Sequence, residues 1–356
     1  MPGTTAITYS NQDLSLNVSA QIKKINRMKD HPYLTVEDLK ANWEKATGGE
    51  RVIVRWTTDD HSRATRVITG NEFFDNFAQP TLTPGYQGWG IVVQPIFVSS
   101  VDEQKNSGEG GLIPLLKDRV ETVEKHFMRQ WQQVLWRGSA ASGTHTGVQG
   151  WEDFLTLNGA DSTTGLIEAA ASGTNTLHAI SKASFPATTH EQFHNFFFDC
   201  ANSFNTNGLN QLYASIISQQ VKEGMPNPSE SFWYWSQNFC RFAKQGLRTF
   251  EQYVDDKPLD DGRRLAHMQY AGVKVRVTAE LPTTGASTTA NNWSAVRVNW
   301  KDGIQFRVMS GWEGGVEPFV DLPGTVGARY ALKRLWGQLI GLRPGGCALL
   351  VDAETF

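Results

Sequence analysis

Hydrophobic positions in this chain follow two periods, and each predicts a different kind of element. The clearest is helical. Leu112, Leu116, Val120, Val123, Phe127, Trp131 and Val134 recur three or four residues apart, which predicts one amphipathic helix over residues 111–137. Lys117, Asp118, Glu121, Glu124, Lys125 and Arg129 fall on its other face. Pro114 sits in the first turn, where its missing N–H costs nothing, and Gly138 supplies a stop. At a rise of 1.5 Å per residue such a helix runs about 39 Å. A second helical pattern, over 189–223, is carried by Phe193, Phe196, Phe197, Cys200, Phe204, Leu209, Leu212, Tyr213 and Ile216, with Asn205–Gly208 as a candidate break. Ser229 is expected to cap a third helix reaching Gln245. Near the start, Thr35 and Asp38 resemble a capping box opening a short helix that ends by Trp43. The polar segment before it carries Leu14, Leu16, Val18, Ile22 and Ile25 at regular places and reads as an arm that docks on something.

The other pattern is extended. Arg51–Trp56, Arg66–Thr69 and Gly90–Val98 read as strands. The irregular aromatic stretch between them, broken by Pro80, Pro84, Gly85 and Gly88, makes 51–98 a long hairpin-like excursion. A second β region follows late in the chain: Val273–Thr278, Ala295–Trp300, Ile304–Met309, Tyr330–Leu342 and Ala348–Val351. Small polar residues fill loops at 99–111, 138–150 and 285–292, and no repeat of 20–50 residues is visible.

Composition narrows the function classes. Charged residues make up 19% of the 356, below the usual ~25%, and the net charge is −3. A chain with that balance is not built to grip nucleic acid electrostatically. No run approaches the ~18 apolar residues of a membrane span, and the opening residues lack the basic-then-apolar pattern of a secretion signal. Cys200, Cys240 and Cys347 are too few and too far apart for a disulfide framework or a four-thiolate metal site, and read as reduced, buried thiols. Twelve Trp and 19 Phe need somewhere to be buried. The tryptophans are dispersed along the chain, which favours packing and interfaces over one sugar-binding platform.

One motif carries possible chemistry. His190-Glu191-Gln192-Phe193-His194 fits H-E-x-x-H, in which two histidines on one helix face hold zinc and the glutamate activates its water. Pro186 and the Thr188-x-x-Glu191 capping box place His190 in the first turn of its helix, however, and give Glu191 a structural task. No third ligand follows: positions 197 and 200 are Phe and Cys, and Glu223 is distant. The phosphate-binding and nucleophile-elbow glycine motifs are absent. Asp59-Asp60, Asp255-Asp256 and Asp260-Asp261 lie in turn-like sequence. No catalytic, cofactor-binding or metal-ligating residue is assigned, no cofactor is expected, and the chain is not read as an enzyme.

The order of the parts, with three stretches of sequence, points further. Lys105-Asn106-Ser107-Gly108 leads to Gly111-Leu112-Ile113-Pro114-Leu115-Leu116-Lys117; Leu135-Trp136-Arg137-Gly138 is followed by Gly147-Val148-Gln149-Gly150-Trp151; and Met268–Val275 precedes the last strands. Together these resemble the major capsid proteins of tailed bacteriophages, of the Hong Kong 97 type, from about residue 40 to the end. The resemblance implies an α+β Hong Kong 97-type capsid fold. Residues 1–47 would be the N-terminal arm, 48–98 the extended E-loop, and 99–170 a peripheral domain with its spine helix at 111–137. Residues 171–340 would be an axial domain interleaved with returning peripheral strands, and 341–356 a C-terminal segment. It also implies hexamers and pentamers forming an icosahedral or prolate shell around double-stranded DNA, which would be touched weakly and without sequence preference. Scaffolding, portal and decoration proteins would be partners, no membrane would be involved, and the location would be the virion after assembly in the host cytoplasm. Two alternatives remain: an encapsulin-like compartment shell, and a zinc metalloprotease using His190, Glu191 and His194.

Overall fold

The computed structural model describes residues 34–57, 82–99, 115–137, 148–155, 176–178, 180–181, 193–201, 203–223, 231–247, 269–270, 272–282, 292–300, 302–321 and 328–353. In chain order the first elements are α1 (Leu34–Asn42), β1 (Glu44–Ala46), β2 (Arg51–Thr57), β3 (Leu82–Gly88), β4 (Gly90–Ser99), α2 (Leu115–Arg137) and the single turn α3 (Trp151–Phe154). Next come β5 (Thr176–Leu177), β6 (Ile180–Ser181), β7 (Phe196–Asp199), a π-turn at Phe204–Gly208 running into α4 (Leu209–Glu223), β8 (Ser231–Trp235) and α5 (Gln237–Leu247). The β-rich end holds β9 (Gln269–Tyr270), β10 (Val273–Val277), β11 (Trp293–Asn299), β12 (Ile304–Val316), β13 (Val320–Asp321), β14 (Ala328–Gly341) and β15 (Ala348–Val351).

Two sheets organise these elements. A six-stranded sheet runs in the order β7-β15-β11-β8-β10-β9. Apolar residues pack on both of its faces, so its strands lack the alternation of a half-exposed sheet. Every residue of β8, β11 and β15 is buried. Phe232, Tyr234, Val296, Val298, Leu349 and Val351 point into the core shared with α2. Trp233, Trp235, Ala295, Ala348 and Leu350 point the other way, with Leu212 and Ile216 of α4 and Phe239 and Phe242 of α5.

The second sheet is built on β14. Its one edge pairs with β12 and β13, its other with β4 along ten residues, from Ala328 opposite Ser99 to Gly337 opposite Gly90. β1 adds in parallel to β12. Helix α2 lies against this sheet through Phe127 and Trp131, whose ring centroid is 5.7 Å from that of Phe306. Gly337 is required here, because a Cβ would run into the Phe306 ring.

At its C-terminal end α2 delivers Trp136 to an aromatic knot. Trp136 and Trp151 are 4.0 Å apart, and Tyr234 and Trp300 complete the cluster. Most of the tryptophans are therefore consumed by this chain's own core. Burying such large rings contributes more than any other residue type of equal number.

Four sequence expectations change. Residues 189–223 are not one helix: Phe196–Asp199 is a strand parallel to β15, and the helix begins at Leu209. Spacing misled because a strand buried on both faces shows an unbroken apolar run. The helix assigned to Ser229 starts later, after strand β8, with the Ser236 hydroxyl accepting the Phe239 N–H at 3.1 Å. The hairpin closes on Leu82–Gly88, read as irregular, while Gly90–Ser99 crosses to β14. Asp38, read as part of a capping box, is instead buried with its carboxylate on Arg276 and the Tyr234 hydroxyl. Helix α2 matches its expected span from Leu115 to Arg137, while residues 111–114 and the Arg66–Thr69 strand lie outside the described residues.

Candidate functional site

The zinc motif is not assembled on a helix. His194 is buried in the extended segment leading into β7, with its neighbour Asn195 buried beside it. His190 and Glu191 lie outside the described residues, as do the three Asp pairs. Among the described residues no group of three His, Cys, Asp or Glu side chains is placed to hold a metal ion. The three thiols are buried and unbridged. Burial, with Asp199 and Asp352 nearby, pushes the Cys200 thiol up to about 12, which removes its nucleophilic character at neutral pH.

What the residues do build is a fixed root for the β2–β3 hairpin. Val52, Val54 and Trp56 turn inward into the main core. The Trp56 indole N–H donates to the Leu342 carbonyl at 2.7 Å. The backbone N–H of Tyr86 donates to the His178 carbonyl at 3.1 Å. His178 stacks on Trp56 and accepts the Gly341 N–H on its Nε2 at 3.0 Å. That bond fixes Nε2 as an acceptor, so the ring is neutral there. Gln338, fully buried, donates to the Gly88 carbonyl and accepts from the Gln149 backbone N–H. The hairpin is thus stitched to β14 and to the segment after α2 by side chains far apart in sequence.

The hairpin's other face is open. Ile53 and Tyr86, directly opposite each other, are each almost half exposed, with Arg51 and Arg55 exposed on the same face. A larger open face lies on the second sheet, opposite α2. Ile91, Val93, Pro95 and Phe97 of β4 stand beside Trp336, Arg334, Leu332 and Tyr330 of β14. Phe97 is 55% exposed and Val320, next to Tyr330, 56%. Trp312 stacks on Trp336 with centroids 5.0 Å apart, and Arg334 lies over Trp312. Apolar faces of this extent on a monomer mark a contact surface. Neither strand alternates polar with apolar residues, so the sequence alone did not mark which side is open.

No family model matches the chain, and no curated protein matches it. Solved structures do. The cyanophage A-1(L) capsid asymmetric unit superposes with a TM-score of 0.56 at 14% identity, covering 89% of this chain and 92% of that one. The capsid of a native GTA particle gives 0.53 at 10% identity, covering 99% and 94%. That of an empty GTA particle gives 0.51 at 11% identity, covering 88% and 96%. The fold is that of a Hong Kong 97-type phage capsid subunit. In this fold α2 is the long helix expected from its spacing and β2–β3 the stem of the extended hairpin. The open faces join apolar side chains on sheet backbones, with Arg51 and Arg55 on the hairpin and Arg334 between Leu332 and Trp336 on β14.

Proposed function

We propose that this chain is a major capsid protein whose copies join as hexamers and pentamers into an icosahedral or prolate shell around the double-stranded DNA of a tailed phage. The observation that carries this is the pair of open apolar faces on a capsid fold: the hairpin face at Ile53 and Tyr86, and the sheet face from Ile91 to Val320. They lie on different parts of one chain, so the patch of one copy meets a different patch of the next, and contacts of that kind close into rings. The reading assigns the chain no reaction and no cofactor. It places the protein in the virion, after assembly in the host cytoplasm, with scaffolding, portal and decoration proteins as further partners. A net charge of −3 suits a container that touches packaged DNA weakly, since tight phosphate contacts would hinder filling and release.

Electron microscopy of the purified chain tests this. Rings, sheets or closed shells are expected. The Phe97→Asp variant should keep the circular dichroism of the parent and lose particles, because Phe97 is exposed in the monomer and a buried unpaired carboxylate opposes association. A strictly monomeric parent that binds one zinc and loses it in His194→Ala would overturn the reading. Particles that fill with a co-expressed enzyme and exclude DNA would mark an encapsulin-like shell instead.

A further inference from the structure

Among the described residues, three charged side chains besides histidine are buried: Asp38, Lys333 and Arg297. Asp38 has Arg276 at 3.1 Å, and Lys333 has Glu124 at 2.9 Å. Arg297 has no such partner. It is 3% exposed, its Nε–H meets no acceptor, and its guanidinium lies over the Trp233 ring with 6.0 Å to the centroid. Burial pushes it down to about 10, and the one group that favours its charge is the Cys347 thiol, a poor substitute for a carboxylate. The side chain remains a cation at neutral pH, and a buried cation needs a counter-charge.

Its neighbours share the deficit. On β11, Arg297 and Asn299 point to the same face of the six-stranded sheet. Register places Trp233 opposite Arg297 and Ser231 opposite Asn299. These four side chains form a square, about 5 Å across the strands and about 7 Å along them. The Asn299 Oδ1 and the Ser231 hydroxyl are buried without a hydrogen-bond partner. So is the Trp233 indole N–H, although other buried indoles share that state and it is not diagnostic.

We propose that Arg297, Ser231 and Asn299 bind one hydrogen phosphate ion inside the subunit. The guanidinium and the serine hydroxyl donate to its oxygens, as charge-assisted hydrogen bonds require. The anion's own O–H donates to the Asn299 Oδ1. That last bond selects a protonated oxyanion over sulfate, which has no O–H to offer. With Arg297 only 3% exposed, a nucleic-acid backbone has no access, so the ligand is the free ion. The site is independent of the shell reading, because it is enclosed within one subunit.

The test is thermal denaturation of the full chain at pH 7 in phosphate, sulfate or chloride at matched ionic strength. Equilibrium dialysis of radiolabelled inorganic phosphate runs alongside. One phosphate per chain is expected, with a midpoint about 2 °C or more above both other salts. Arg297→Met should lose the bound phosphate and the shift. Asn299→Asp sets a carboxylate beside Arg297; it should raise the midpoint in chloride and also abolish the phosphate response. If Arg297→Met does not fold, Asn299→Asp decides. Equal midpoints in all three salts, a shift as large with sulfate, or phosphate binding undiminished in Asn299→Asp would overturn the proposal.

Discussion

Cys200 shows what the interior does to a single ionisable group. Its backbone N–H is bonded to the Val351 carbonyl, and its thiol is held at about 12 against an ordinary 9.0, first by burial and then by Asp199 and Asp352. The folded state therefore keeps a proton that the unfolded chain gives up above pH 9. Stability is whole below pH 9 and declines as pH rises from about 9 toward about 12. Cys240 moves in the same direction for the same first cause. At pH 10.5 the Cys200 contribution to the decline is about 2 kcal/mol. Urea unfolding at pH 8 and pH 10.5 measures it. The drop between the two should be smaller in Cys200→Ala than in the parent; equal drops would mean the thiol is not the group responsible.

The root of the β2–β3 hairpin shows how elements are locked together. Gly85 lies against the outer carbons of the Trp56 indole and beside the His178 side chain, so a Cβ there has no room. Gly85→Ala should cost about 1–3 kcal/mol. Phenylalanine lacks those outer carbons, so Gly85→Ala should be milder when Trp56→Phe is already present. A double-mutant cycle by chemical denaturation reads the coupling, and strictly additive costs would show that the contact is not the cause. Several elements were legible beforehand: α2, β2, β4, β10, β11, β14 and β15 lie where spacing put them, whereas β12 runs on from Met309 to Val316 and β13 was not expected. Strands β7 and β8 were not legible, because Phe196–Asp199 and Ser231–Trp235 sit in a sheet covered on both faces and carry no alternation. Nor were Asp38, His178 and Gln338, whose partners lie 163 to 250 residues away and exist only once the sheets have met. The open face of β4 and β14 was not legible either, because Ile91, Val93 and Phe97 on one side of β4 are matched by Val92, Ile96 and Val98 on the other, and nothing in sequence says which side α2 will cover.

On the scale of the whole molecule, the low charge and the excess of tryptophan have separate causes. Most of the tryptophans serve the core of one chain, whereas the open faces are mostly aliphatic, with Tyr86, Phe97, Tyr330 and the Trp312–Trp336 stack among them. The body of the subunit also begins earlier than an arm reaching residue 47 suggests. Val36 and Leu39 of α1 are fully buried in the main core, Asp38 is bonded to Arg276 and Tyr234, and β1 pairs with β12. Trp43 stacks on Trp131 of α2 with centroids 6.4 Å apart. Two truncations should therefore behave differently. Without residues 1–33 the chain keeps every contact just named, so its urea midpoint should move little, while the proposed shell role, with these residues as an arm between copies, predicts the loss of particle formation. Without residues 1–46 the apolar burial of α1 goes, worth several kcal/mol at about 1.5–3 per side chain, and Arg276 loses its counter-charge. That form should unfold at markedly lower urea. A common midpoint for the two truncations would place the start of the body beyond β1. Normal particles from the shorter cut would remove the arm from assembly altogether.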